Sequence, residues 1–123
     1  MGEPHLKEVC KLLKLEEPDI VETFKGKELE GLEYEPLFDY FMDLAKDGCF
    51  RVLMGEYVTA DAGTGLVHCA PGFGEEDFTI CVKNKIIHPG NPPCPVDSNG
   101  RFTTPVLDYK GMHIKDTDPL IKV

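Results

Sequence analysis

The first fifteen residues alternate apolar and charged positions at helical spacing. Leu6, Val9, Cys10, Leu12 and Leu13 recur with Lys7, Glu8, Lys11 and Lys14 between them, just after Pro4. That spacing predicts a helix over about 5–15, stopped by Glu16-Glu17-Pro18. Ile20 to Phe24 then alternates as a half-buried strand does, and a second strand is expected from Leu29 to Tyr34. Gly26 permits the turn between them, and Gly31 suggests a bulge or a barrel corner. Pro36-Leu37-Phe38-Asp39-Tyr40-Phe41 reads as an aromatic segment packed at an edge or under a loop, with a turn after it at Lys46-Asp47-Gly48.

Phe50 to Val58 and Leu66 to Ala70 read as strands on either side of the tight turn Ala62-Gly63-Thr64-Gly65, the second halted by Pro71. Glu75-Glu76-Asp77, followed by Phe78, Ile80, Val82 and Ile86, predicts a helix over about 75–84 with acidic side chains in its first turn. Asn99-Gly100, between short runs at 94–97 and 101–104, is the strongest hairpin signal. The last stretch, Asp116-Thr117-Asp118-Pro119-Leu120-Ile121, starts like a capped helix and stops, as if cut from something longer. Short strands, glycine corners and two helices point to a mixed, β-rich α+β class: a small β-barrel with flanking helices, one domain over 1–123.

Composition narrows the function classes. Thirteen basic and twenty-two acidic side chains leave a net charge of −9, which repels phosphate at long range and argues against a free-standing nucleic-acid binder. Any nucleic acid is then delivered by something else. No run approaches the roughly twenty apolar residues of a membrane helix, the N-terminus has no basic-then-apolar signal, and Leu6 stands where a myristoylation signal wants Ser or Thr. A cytoplasmic location is expected. Cys10, Cys49, Cys69, Cys81 and Cys94 are odd in number, widely spaced and never C-x-x-C, as reduced and mostly buried thiols are.

The densest chemistry lies in Gly63 to Phe78, which reads G-T-G-L-V-H-C-A-P-G-F-G-E-E-D-F. With a strand over 66–70 and a helix from 75, His68 and Asp77 meet across a glycine loop that lets a ligand approach the backbone. Helix-terminal amides favour an ionised Asp77, which then suits an ammonium group. The bland alternatives are a structural histidine on a strand and an aspartate serving the helix start. Gly63-Thr64-Gly65 has neither dinucleotide nor P-loop spacing. Cys69 beside His68 is no nucleophile pair if the two alternate faces of a strand. A zinc site from Cys69, Cys81, His88 and Cys94 lacks any C-x₂₋₄-C pair. The acidic run at Glu28, Glu30, Glu33 and Glu35 reads as a solvated face.

The run at 63–78 resembles the signature of the editing domain inserted in isoleucyl-tRNA synthetases. Supporting matches are P-L-F-D-Y-F at 36–41, R-V-L-M-G-E-Y-V before the motif and C-P-V-D-S-N-G-R-F-T at 94–103, so the likeness runs from about Glu33 to about Asp118. It implies hydrolysis of valine mischarged on the tRNA for isoleucine. Asp77 matches the carboxylate that grips the substrate α-ammonium, and His68 the residue that shapes the pocket against isoleucine. Gly63, Thr64 and Gly65 on one side, and Ala70, Gly72, Phe73 and Gly74 on the other, match its substrate-binding loop. The implied partner is the 3′ aminoacyl-adenosine end of that tRNA, delivered by the rest of the synthetase, with no DNA and no membrane.

The resemblance assigns no cofactor or metal to this domain, whereas the parent enzyme uses ATP and magnesium. The synthetic-site signatures H-I-G-H and K-M-S-K-S do not occur here, nor does the family's upstream threonine-rich segment, so a partial editing domain of weak intrinsic activity is expected. Phe78 stands where the family more often has Tyr. Two other readings stay open: a catalytically silent module that folds and docks on a larger synthetase, and a valyl-type editing domain acting on threonyl esters.

Overall fold

The computed structural model describes residues 1–16, 18–60 and 62–122. Its first element is a 3₁₀ turn, Glu3–His5, that leads into α1, Leu6–Leu12. The helix ends short of the expected stop because the chain closes on itself there. Leu15 N–H donates to Cys10 O (2.9 Å), Lys14 N–H donates to Lys11 O (3.2 Å), and Lys14 takes the left-handed conformation at φ 56°. Glu17, part of the stop signal, lies outside the described residues.

α2 spans Glu75–Lys83, within a residue of the expectation, and ends by the same closure. Ile86 N–H reaches Cys81 O (2.9 Å), Lys85 N–H reaches Val82 O (2.9 Å), and Lys85 sits at φ 59°. That turn carries Ile86 back onto the inner face of α2. Ile80, Cys81, Ile86 and Ile87 form the buried cluster, with Cys49, Leu53, Tyr57, Cys69, Phe78 and Val82 packed against it. The C-terminal expectation also becomes a helix, α3, over Ile114–Ile121, whose cap is His113: its Nδ1 accepts from Lys115 N–H (3.2 Å). Thr117, fully buried, donates its hydroxyl to Ile114 O (2.8 Å).

The β-barrel expected from the alternating runs is not there. Among the described residues no strand forms, and pairing is reduced to three isolated antiparallel bridges: Glu33 with Arg51, Val96 with Phe102, and Arg101 with His113. The reason is visible at each. Gly31, at φ 79°, and Leu32 both bond to Val52, two residues opposite one as in a bulge, while Phe50 at φ 61° twists the facing run out of register. The Asn99-Gly100 turn is present, with Gly100 at φ 70° and Asp97 Oδ1 accepting from the amides of Asn99 (2.8 Å) and Arg101 (3.0 Å). Its arms carry Pro95 and Pro105, which have no N–H to offer a ladder.

The remaining runs lack a neighbour. Ile20 to Phe24 pairs with nothing among the described residues, and Val21 is 96% exposed. Leu66 and Val67 are more than half exposed, so 66–70 approaches α2 as extended backbone and not as a sheet strand. The aromatic segment at 36–41 is also more open than expected. Leu37 is 96% exposed, and the segment is tethered by the Tyr40 hydroxyl donating to Asp108 Oδ2.

Candidate functional site

The approach to α2 is built from backbone turns. Gly65, at φ 75°, closes a turn in which its N–H donates to Ala62 O (3.2 Å), and Thr64 hydrogen-bonds locally to Leu66 through its hydroxyl. Further on, Phe73 and Gly74 both donate to Ala70 O, at 2.9 and 3.2 Å, folding residues 70–74 into a tight bend that delivers Gly74 as the N-cap of α2. Gly72 is forced by space, since a Cβ there would lie 2.9 Å from Pro93 O. Phe73 points outward, with 64% of its surface exposed.

Asp77 stands in the first turn of α2, yet it does not cap that helix. Its carboxylate spans the bend: Oδ2 accepts from Ala70 N–H (3.0 Å) and Oδ1 accepts from the Tyr57 hydroxyl (3.1 Å). Gly74 makes room for it, because a Cβ at that position would lie 2.7 Å from Oδ2. Burial, followed by the hydrogen bond to Asp77, pushes the Tyr57 phenol up to about 12. A carboxylate has about four lone-pair positions. Two are used, so an added cation can still be accepted without breaking either bond.

Two cavities lie nearby, one of them bordered by this carboxylate. The larger, about 600 Å³, is lined by His68 together with Tyr34, Arg51, Leu53, Leu66 and Cys69. The smaller, about 440 Å³, is lined by Asp77 with Gly74, Glu75 and Glu76. Tyr57 and Val67 line both. His68 and Asp77 therefore border two different cavities that have Tyr57 and Val67 in common. Gly65 also lines the larger cavity, whereas Gly63, Thr64, Ala70, Gly72 and Phe73 line neither. Ala70 enters the site through its amide alone.

Tyr57 is the residue that sequence reasoning missed. It lies twenty positions before Asp77, inside a run read as a barrel strand, and no spacing rule links the two. The cysteines are all free thiols, as expected, but only Cys10 and Cys81 are buried, and Cys94 is exposed. Without a strand at 66–70, the argument from alternating faces loses its premise, and His68 and Cys69 line the same cavity. The Cys69 thiol turns to α2: it lies 3.6 Å from Cys81 Sγ and 3.8 Å from Asp77 O. Among the described residues no group of three or more His, Cys, Asp or Glu side chains is placed to hold a metal ion, and Cys69, Cys81, His88 and Cys94 form no such cluster. No described helix is long and apolar enough to cross a membrane.

Comparison with family models matches none of them. Curated relatives match nearly the whole chain. An isoleucine–tRNA ligase of Tetrahymena thermophila is 56% identical over 118 residues, which is 92% of this chain and 11% of that protein. The cytoplasmic isoleucine–tRNA ligase of Saccharomyces cerevisiae is 48% identical over 117 residues, 94% of this chain and 11% of the relative. That of Arabidopsis thaliana, also named cytoplasmic, is 48% identical over 101 residues, covering 81% of the chain and 8% of the relative. The chain thus spans about a tenth of the length of the curated relatives it matches. By identity of this order over most of its residues, the chain belongs to the isoleucine–tRNA ligase family, as a segment of it.

Proposed function

We propose that this chain is part of the editing domain of a cytoplasmic isoleucine–tRNA ligase, and that it takes part in hydrolysing valine esterified to the tRNA for isoleucine. The parent enzyme would charge that tRNA at a separate synthetic site, the place for ATP and magnesium. The need for a second site is energetic. Isoleucine and valine differ by one methylene, with the known limit of about 1–3 kcal/mol for this very pair of amino acids in this family.

The observation that carries the reading is the held carboxylate of Asp77, fixed by Ala70 N–H and the Tyr57 hydroxyl at the wall of a cavity, with two lone-pair positions left for a cation. An α-ammonium seated there fixes the ester carbonyl relative to the bend, and His68, from the adjoining cavity, limits the side-chain size admitted. Water adds to the ester carbonyl, the bond to the ribose oxygen of the terminal adenosine breaks, and valine and free tRNA leave. Asp77 is the anchor in this scheme and not the base, because its oxygens are engaged by Ala70 N–H, the Tyr57 hydroxyl and the seated ammonium. The net charge of −9 fits a tRNA end brought in by the rest of the enzyme and not captured from solution.

The test is deacylation of valyl-tRNA for isoleucine by the full-length ligase carrying this sequence, with and without Asp77→Ala. A lost charge-assisted contact of about 1.5–3 kcal/mol predicts a rate lower by roughly 10- to 150-fold. Equal rates refute the anchor. Preference for threonyl over valyl esters would make it a valyl-type site, and absence of any deacylation in the unaltered enzyme would leave a docking module.

A further inference from the structure

We propose that Cys69 and Cys81 form an oxidisable dithiol site that a hydroperoxide closes to an intramolecular disulfide, fastening the bend that holds Asp77 to α2. Their sulfurs are 3.6 Å apart, and small side-chain rotations bring such a pair to the bond length of about 2.05 Å. No other two thiols among the described residues lie within hydrogen-bonding distance of one another. The two occupy different positions. Cys69 is half-buried and lines the larger cavity, through which a molecule as small as hydrogen peroxide reaches it. Cys81 is 5% exposed and meets Cys69 from the core side of α2. One thiol is thus open to attack and the other is poised to resolve, the arrangement that turns a sulfenic acid into a disulfide.

The chemistry balances without a metal. Cys69 loses its proton, its sulfur attacks a peroxide oxygen, the O–O bond breaks, and the departing hydroxide takes up that proton as water, leaving a sulfenic acid. Cys81 sulfur then attacks the sulfenic sulfur, the S–O bond breaks, and the hydroxyl leaves with the Cys81 proton as a second water. Two thiols lose two electrons in all, and one peroxide becomes two waters. Burial raises both thiols, Cys69 to about 12 with the contact to Cys81 adding to it, so the pair stays reduced against mild oxidants near neutrality. The bond would close a loop around Ala70 and Asp77, both of which the Cys69 segment already contacts.

The experiment uses the 123-residue chain carrying Cys94→Ser, which removes the exposed thiol and with it cross-links between molecules. Hydrogen peroxide is added at a series of pH values, and intact mass and peptide maps are followed over time. The expected first product has lost two hydrogens and yields a Cys69–Cys81 linked peptide, at a rate rising about tenfold per pH unit below the thiol pKa. With Cys81→Ser added, Cys69 should accumulate as a sulfenic acid that dimedone traps. If that variant does not fold, the order of products in the parent chain decides alone. A first disulfide involving Cys10 or Cys49, or Cys69 and Cys81 still reduced when those two have oxidised, overturns the proposal. Mass carries the result, so it stands or falls separately from deacylation.

Discussion

Gly74→Ala is the sharpest single perturbation of the bend. The backbone at Gly74, φ −130° and ψ 132°, is ordinary for alanine, so strain does not enter. Space does. The new Cβ would lie 2.7 Å from Asp77 Oδ2 and 3.1 Å from its Cγ, and the carboxylate must retreat by about half an ångström to restore normal contact. Ala70 N–H already sits 3.0 Å from that oxygen, and a retreat of this size takes it near 3.5 Å, where the hydrogen bond is lost. A hydrogen bond to a charged group is worth about 1.5–3 kcal/mol, and the stiffer unfolded chain returns about 0.4–1 kcal/mol. The net loss is roughly 1–2 kcal/mol, or a thermal midpoint lower by about 4–8 °C. Urea unfolding of the variant beside Gly90→Ala, whose Cβ meets nothing within 4 Å, isolates the effect. A Gly74→Ala chain as stable as Gly90→Ala would refute the packing of Asp77 drawn here.

Alkali should destabilise the fold before it ionises exposed tyrosines in the unfolded chain fully. The Tyr57 phenol is raised from 10.0 to about 12 and the Cys69 thiol from 9.0 to about 12, so the folded state holds protons that the unfolded state has released. Stability is therefore complete below pH 9 and falls from there toward pH 12, a slope that Tyr57→Phe combined with Cys69→Ala should flatten in urea titrations at stepped pH. Gly65→Val places a β-branched residue at φ 75° with its Cβ 3.1 Å from Gly2 N. It should lower stability by about 1–3 kcal/mol, and an unchanged midpoint would count against that turn. Lys85→Gly relieves a left-handed lysine at φ 59° at the end of α2 and should raise stability by about 0.5 kcal/mol after the entropy of the new glycine is subtracted, measured by the same unfolding.

Helices were legible because their signals are local. Pro4, the acidic first turn of α2 and the i, i+4 apolar spacing of Phe78 and Val82 act within one or two turns of chain, and α1 and α2 appear where those signals lie. The barrel was not legible, for a physical reason. Alternation marks which side chains can face a core, but a strand exists only if another edge supplies its hydrogen bonds, and that partner is a long-range fact. Ile20 to Phe24 alternates correctly and has no partner among the described residues. Leu29 to Tyr34 finds one in Arg51 and Val52 and loses it again at Gly31 and Phe50, where the backbone turns left-handed.

The site divides the same way. The tight bend at 70–74 and Asp77 in the first turn of α2 follow from a short consecutive run, and the structure ties the two together, whereas Gly63 and Thr64 line neither cavity. What sequence could not supply is the ligand to the other carboxylate oxygen. Tyr57 reaches Asp77 only because the segment after Arg51 packs on the inner face of α2, a consequence of where Leu53 and Tyr57 find apolar surface. That packing also sets the relation between His68 and Asp77. Tyr57 lines both the cavity beside His68 and the one beside Asp77, together with Val67. The same side chain thus bonds the carboxylate and packs against the core, so Tyr57→Ala should loosen Asp77 and lower stability together, whereas Tyr57→Phe should loosen Asp77 alone.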